Sequence, residues 1–424
     1  MKPPRIFLAA VLLLTAMLAC NAPLPEESQQ AVDKTGTVSI SGAGDPQLTL
    51  PIVVSSTPAP PTATPSPTPT NTAEPNPVAG YVILTDIGEN DPYRQAVDIL
   101  AAYRQAEIVL FADSVFETLE ELQSLDVRFA AVMVKPERLE EGFAFDVFNL
   151  AKQVNPGFDT DFAYGYITAG QPADMVAYVQ RVIDYERGSI SVEPVFRAFW
   201  RTGSGAFGGG EGKRGDMITA EVVTILNGLG YSAERFDMDQ YAKPEMMSQL
   251  ESAGIVYFHA HGYPHMIECG LQCTGDAWMR DDAEQLGNVR FVFACSCYTA
   301  SVETFYVQGS MDVENYSERA TNIDPAESIA LGFMRSGSLA YIGHMCMWGR
   351  DDFVQLMLND LADNQALTTG ELLKNWYNQP DGPNLVSNSA VPDLNGMDNN
   401  RFYYAAVILH GDPAVRIFQE TPAE

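Results

Sequence analysis

From residue 78 onward, short apolar runs alternate with stretches of helical period. AGYVILTD (79–86) and RFAAVMVKP (128–136) are rich in β-branched residues and bounded by turn or charged residues, which predicts buried strands. PADMVAYVQRVIDYE (172–186) opens on a proline and carries apolar residues at helical spacing, which predicts a helix. The alternation resumes after residue 190. DMITAEVVTILNGLGY (216–231) reads as a helix closed by Gly230, and AGIVYFHAHG (253–262) and NVRFVFACSC (288–297) read as strands. SIALGFMRSG (328–337) is a helix with a glycine stop, and SLAYIGHM (338–345) is a further strand. YYAAVILHGDPAVRIF (403–418) is strand, turn and strand. Strands alternating with helices predict an α/β layered fold. The pattern divides into an α/β subdomain over 78–190 and a second over 191–424.

The first 77 residues have a different character. Lys2 and Arg5 precede an apolar run from Ile6 to Leu18, too short to span a bilayer comfortably, so the segment reads as a secretory signal. Its Leu18-Ala19-Cys20 ending resembles the lipobox of bacterial lipoproteins, which implies lipidation of Cys20 and an extracytoplasmic, membrane-tethered protein. Residues 57–77 alternate proline with threonine and serine, a composition that favours polyproline II and cannot bury a core. At 3.1 Å per residue this linker could hold a domain about 60 Å from its anchor. Residues 21–56 are expected to be disordered.

Composition narrows the partners. The chain has 424 residues, with 55 acidic against 25 basic side chains and a formal charge of −30. No cluster of lysine and arginine is present for phosphates, which argues against nucleic acid. Of the six cysteines, assigning Cys20 to the anchor leaves Cys269, Cys273, Cys295, Cys297 and Cys346. An odd number outside the cytoplasm leaves at least one unpaired thiol, a candidate for reactivity.

The candidate chemistry lies where two predicted strands end. IVYF delivers His261-Gly262 and FVF delivers Ala294-Cys295, and in open α/β sheets sites gather at the carboxyl ends of the strands. If the strands are neighbours, an imidazole faces a thiol that needs a base to become nucleophilic. A glycine beside the histidine lets a substrate backbone approach and frees an N–H for an oxyanion. His259, His261, His265, Cys269 and Cys273 also crowd together. Tyr263 and Pro264 break the metallo-hydrolase H-x-H-x-D-H pattern, so no metal site is expected. His259, His344 and His410 are expected to have no special role.

An apolar run ending in His-Gly, followed by one ending in Ala-Cys, resembles the caspase–legumain–gingipain clan of cysteine peptidases. The spacing of His261 and Cys295 suits the gingipain-type family. AYGYITAGQPADMVAYVQRVIDYERG, SIALGFMRSGSLAYIGHMCMW and HGDPAVRIF resemble further segments of that family, in order over roughly residues 79–420. The resemblance implies a caspase-like parallel sheet with helices on both faces, preceded by a smaller α/β subdomain. It implies an endopeptidase acting on proteins or peptides, with Cys295 as nucleophile, His261 as base and acid, and the N–H groups of Gly262 and Cys295 as oxyanion hole. Asp216, at the start of its predicted helix, and Trp348 match substrate-pocket positions and imply cleavage after Arg or Lys. For Asp216 the alternative is an N-cap. No cofactor is required, although the resemblance and the acidity of the chain allow a structural Ca²⁺ with no identified ligands. One departure stands out: RTGSGAFGGGEG (201–212) lacks a glutamate in register with the carboxylate behind the family's histidine. That departure supports the alternative of an inactive, ligand-holding module on the cell envelope.

Overall fold

A computed structural model describes residues 74–155, 159–201, 211–268, 277–306, 320–345, 352–379 and 406–418. Its apolar runs form strands buried along their whole length: β1 (Tyr81–Thr85), β3 (Phe129–Met133), β4 (Ala163–Ile167), β11 (Phe291–Cys295), β14 (Ala340–His344) and β15 (Val407–Gly411). Burial on both faces is the signature of a sheet sandwiched between helices, where no polar alternation survives in the sequence.

These strands belong to one ten-stranded sheet in the order β2-β1-β3-β4-β15-β14-β11-β7-β5-β6. The other members are β2 (Glu107–Leu110), β5 (Val195–Trp200), β6 (Ser232–Asp237) and β7 (Ile255–His259). Pairing is parallel among β2, β1, β3 and β4, and again among β14, β11, β7, β5 and β6. Between the two groups lies β15, antiparallel to β14 and bridged to β4 at the His410–Tyr166 pair. The two sequence segments therefore share one sheet. Small antiparallel elements complete it: β8 (Gly262–Tyr263), β9 (Met266–Glu268) and β10 (Ala277–Met279) form one sheet, and β12 (Thr304–Tyr306) pairs with β13 (Ala320–Asn322).

Among the helices, α1 is Arg94–Arg104, α2 Leu119–Ser124, α3 Glu141–Ala151, α4 Pro172–Glu186 and α5 Glu211–Gly228. They are followed by α6 (Lys243–Glu251), α7 (Arg280–Ala283), α8 (Ile329–Ser336), α9 (Phe353–Asp363) and α10 (Thr369–Tyr377). Pro172 opens α4 as predicted, and Ser328 caps α8 with its side chain on the Leu331 N–H. Helix α5 starts at Glu211, so Asp216 lies within the helix and is not its N-cap; the glycines around 208–215 hid this start in the sequence. Past β15, the predicted strand over 414–418 is reduced to one bridge between Arg416 and Thr368.

The two halves of the sheet meet at a buried charge cluster. Arg104 at the end of α1 is fully buried and binds Glu186 through two 2.6 Å contacts and Asp412 at 2.6 and 3.1 Å. Asp412, just past β15, also accepts from the Tyr81 hydroxyl at 3.0 Å and the Ala414 N–H at 2.9 Å. Desolvating an arginine is tolerable only with this degree of pairing. The Gly411-Asp412-Pro413 turn thus acts as a structural tie between the carboxyl-terminal strand and the first helix.

Candidate active site

Strand β7 runs beside β11, in a parallel register that sets Cys295 opposite His259 and Ala294 opposite Phe258. The next strand continues the row, with His259 opposite Trp200 on β5. On the other side of β11, Ala294 is opposite Gly343, so side-chain alternation puts His344 on the same face as Cys295. The thiol therefore ends its strand in a line containing two imidazoles. His261 stands two residues beyond His259, in the loop that leads to β8.

Glycine 262 brings the two loops together. A Cβ at this position would lie 2.5 Å from Cγ2 of Thr299, 2.8 Å from Cβ of Ser296 and 2.9 Å from the Cys297 carbonyl oxygen. The chain carrying His261 therefore packs backbone-first against the turn after Cys295, and only glycine fits. Tyr298 in that turn has φ 61°, a left-handed conformation costly for a residue with a side chain. Its ring is buried against Tyr263, Cys297 and Ile323, so the histidine loop packs on the strained residue.

Backbone and side-chain bonds fix the rest of the turn. Thr299 Oγ1 donates to the Ser296 carbonyl at 3.0 Å, and the Ala300 N–H donates to the His344 carbonyl at 3.0 Å. Ser301 Oγ donates to the Met345 carbonyl at 3.0 Å, and Ser328 Oγ reaches the Ser301 carbonyl at 3.2 Å. His410 Nε2 lies 2.7 Å from the Ala300 carbonyl oxygen.

Cys295 is 8% exposed, whereas the rest of its strand is closed. Cys295 and Cys297 are both thiols rather than half-cystines. The ring of His259 rests on α5, where a Cβ at Gly215 would approach its Nδ1 to 2.9 Å. His344 meets the edge of the Phe353 ring at 5.1 Å, and burial, then the nearby His259, holds its pKa down at about 3. Burial also lowers the pKa of His265, with Glu327 opposing the shift. Among the described residues, no three His, Cys, Asp or Glu side chains are grouped to hold a metal ion.

The remaining sequence candidates fall elsewhere. Asp216 pairs with Arg235 of β6, and both are about half exposed. Cys20, Cys269, Cys273, Cys346 and Trp348 lie outside the described residues, as does most of 201–212. Nothing in the linear pattern singled out His344 and His410, because a histidine inside an apolar strand looks the same whether or not it touches a functional loop. Their place emerges only in the fold, where His344 ends the strand paired with β11 and His410 lies on the next strand, β15.

The family model of peptidase family C25 matches residues 72–418. The chain belongs to peptidase family C25. Solved structures agree on the fold that the family implies. The C25 chain resembles the Arg-specific cysteine proteinase gingipain R, RgpB, at 11% identity and a TM-score of 0.56, over 80% of each chain. It also resembles the complex of Porphyromonas gingivalis RgpB pro- and mature domains, at 12% identity and a TM-score of 0.54, over 79% of each chain. None of the curated proteins compared with the chain matches it. The gingipain-like, caspase-like α/β fold expected from the sequence is thus the fold of this C25 chain, and family and fold together support a cysteine peptidase.

Proposed function

We propose that the protein is an extracytoplasmic cysteine endopeptidase in which Cys295 is the nucleophile and His261 the general base and acid. The observation that carries this reading is the contact of Gly262 with Ser296–Thr299, which makes the residues next to His261 and Cys295 direct neighbours. His261 takes the thiol proton, and the thiolate attacks the carbonyl carbon of the scissile bond. The N–H groups of Gly262 and Cys295 hold the oxyanion. As the tetrahedral centre collapses, His261 gives its proton to the departing amine and an acyl-enzyme remains. Water then attacks the thioester while His261 takes its proton, releasing the acid and the sulfur.

The reading extends to specificity and location. Asp216 and Trp348 are assigned to the pocket for an arginine or lysine side chain, which would compete with Arg235 for the Asp216 carboxylate. Cys20 is assigned as the lipidated anchor. No helix among the described residues is long and apolar enough to cross a membrane.

An electrophilic peptide carrying Arg at the residue before its reactive carbonyl tests nucleophile and specificity together. Intact mass should reveal one adduct on the wild type, none on Cys295→Ala, and slower labelling of Asp216→Ala. Hydrolysis that persists in Cys295→Ala, or that is abolished by a chelator and restored by zinc, would overturn the mechanism. A folded wild type that neither labels nor cleaves any peptide would leave the inactive binding module in its place. Loss of acyl labelling in Cys20→Ala tests the anchor.

A further inference from the structure

His410 and the turn after Cys295 are far apart in the chain but joined in the fold. His410 lies on β15, opposite Tyr341 of β14 and at the pair that bridges β15 to β4. Its side chain is buried, and its Nε2 stands 2.7 Å from the Ala300 carbonyl oxygen. A carbonyl oxygen can only accept, so Nε2 carries the hydrogen and the ring is the neutral Nε2–H tautomer. Burial keeps it neutral, holding its pKa down at about 4 against the opposing effect of the Ala300 bond. The N–H of the same residue is taken by the His344 carbonyl at 3.0 Å. Ala300 is thus gripped through both of its backbone groups, one by each of the strands β14 and β15. Two residues upstream is Tyr298, whose left-handed backbone persists only where its surroundings over-determine it.

We propose that His410 is a positioning residue for the nucleophile: by donating to the Ala300 carbonyl it locks the 296–301 turn, and with it the backbone on which Cys295 and the Gly262 contact depend. This rests on the cysteine-peptidase reading, and it gives the strand between the two halves of the sheet a part in the chemistry. His410 touches no substrate. Its effect passes through the turn alone, so it should alter the geometry of attack more than the binding of peptide.

Two amides of the same chemistry and different reach test it. His410→Gln places an N–H near the position of Nε2, whereas the shorter arm of His410→Asn does not, and His410→Phe keeps the ring without a donor. Steady-state cleavage of an Arg- or Lys-containing peptide and hydrogen exchange over 163–167 and 291–303 are measured on all three folded variants. In His410→Asn and His410→Phe, kcat should fall about 10- to 100-fold with KM changed less than about twofold. Exchange should rise locally at 296–301 but not along β11 or β4. His410→Gln should recover most of both. Equal impairment of the glutamine and asparagine variants, or a drop in stability with kcat unchanged, would overturn the proposal. Should phenylalanine fail to fold, the Gln–Asn contrast decides alone. If the wild type cleaves nothing, the peptidase reading fails. The exchange pattern still decides whether His410 holds the turn: local loosening in asparagine but not glutamine supports it, and its absence refutes it.

Discussion

The two sides of β15 can be compared strand for strand. On one side β1, β3 and β4, and on the other β14, β11 and β7, are parallel strands with similarly closed faces. They differ in the residues just beyond their carboxyl ends. Past β1 and β3 stand Asp86, Asp91, Lys135 and Arg138, and these charges neutralise one another: Lys135 meets Asp91 at 3.0 Å and Arg138 meets Asp86 at 3.9 Å. At the ends of β7 and β11 stand His261, Gly262 and Cys295, and Gly262 meets the turn after Cys295 in a contact that admits no side chain. The same framework therefore supplies two suitable ends, and only one carries the thiol and imidazole pair proposed for catalysis. What separates them is a handful of residues in loops, rather than any difference in the sheet.

The sharpest way to break this contrast is to remove the thiol. Cys295→Ala should lower kcat/KM by about 10⁴-fold or more while leaving the urea midpoint in place, because the side chain lost is small and at the sheet's edge. His261→Ala should approach the same loss. Undiminished activity in either would return the two ends to equivalence.

The next effect concerns stability at the junction. Arg104→Met leaves the buried Asp412 carboxylate without its cation and should cost about 3–5 kcal/mol in urea denaturation. A loss below about 1 kcal/mol would mean that the cluster does not hold the halves together.

Gly262→Ala tests the interlock itself. A methyl group 2.5 Å from Thr299 must push the turn aside, at a cost of about 1–3 kcal/mol. Peptide cleavage should drop by more than that loss of stability explains, whereas alanine at Gly88, which has open space around it, should be silent.

The last test is acid. His344 and His410 are neutral in the fold, with pKa values near 3 and 4, while an unfolded histidine titrates near 6.5. The unfolded chain therefore takes up protons first as the pH drops. Stability should be full above about pH 6.5 and fall by roughly 1.4 kcal/mol per pH unit for each ring below it, until each folded pKa is passed. Urea midpoints at pH 7 and pH 5 measure the slope, which His344→Gln and His410→Gln should each flatten.

The sequence made the frame and the central residues legible for physical reasons. Continuous apolar runs such as RFAAVMVKP and NVRFVFACSC can only be strands covered on both faces, and they are. Pro172 marked its helix to the residue. Strands β2, β5 and β6 were harder, because EIVL is short and VFRAFW and SAERFD carry charges that interrupt their apolar runs. The adjacency of β7 and β11 could be stated only as a condition, since strand order depends on contacts between residues far apart in the chain. For the same reason nothing in HGDPAVRIF foretold that Asp412 would balance Arg104 or that His410 would reach Ala300.

The position of β15 bears on how the molecule comes into being. It leaves the ribosome after every other strand of the large sheet, yet β4 and β14 meet only through it. Until residue 411 has emerged, a nascent chain can build two separate sheets but lacks the His410 contact to the Ala300 carbonyl. Synthesis order thus makes emergence of that strand a precondition for joining the two halves of the sheet.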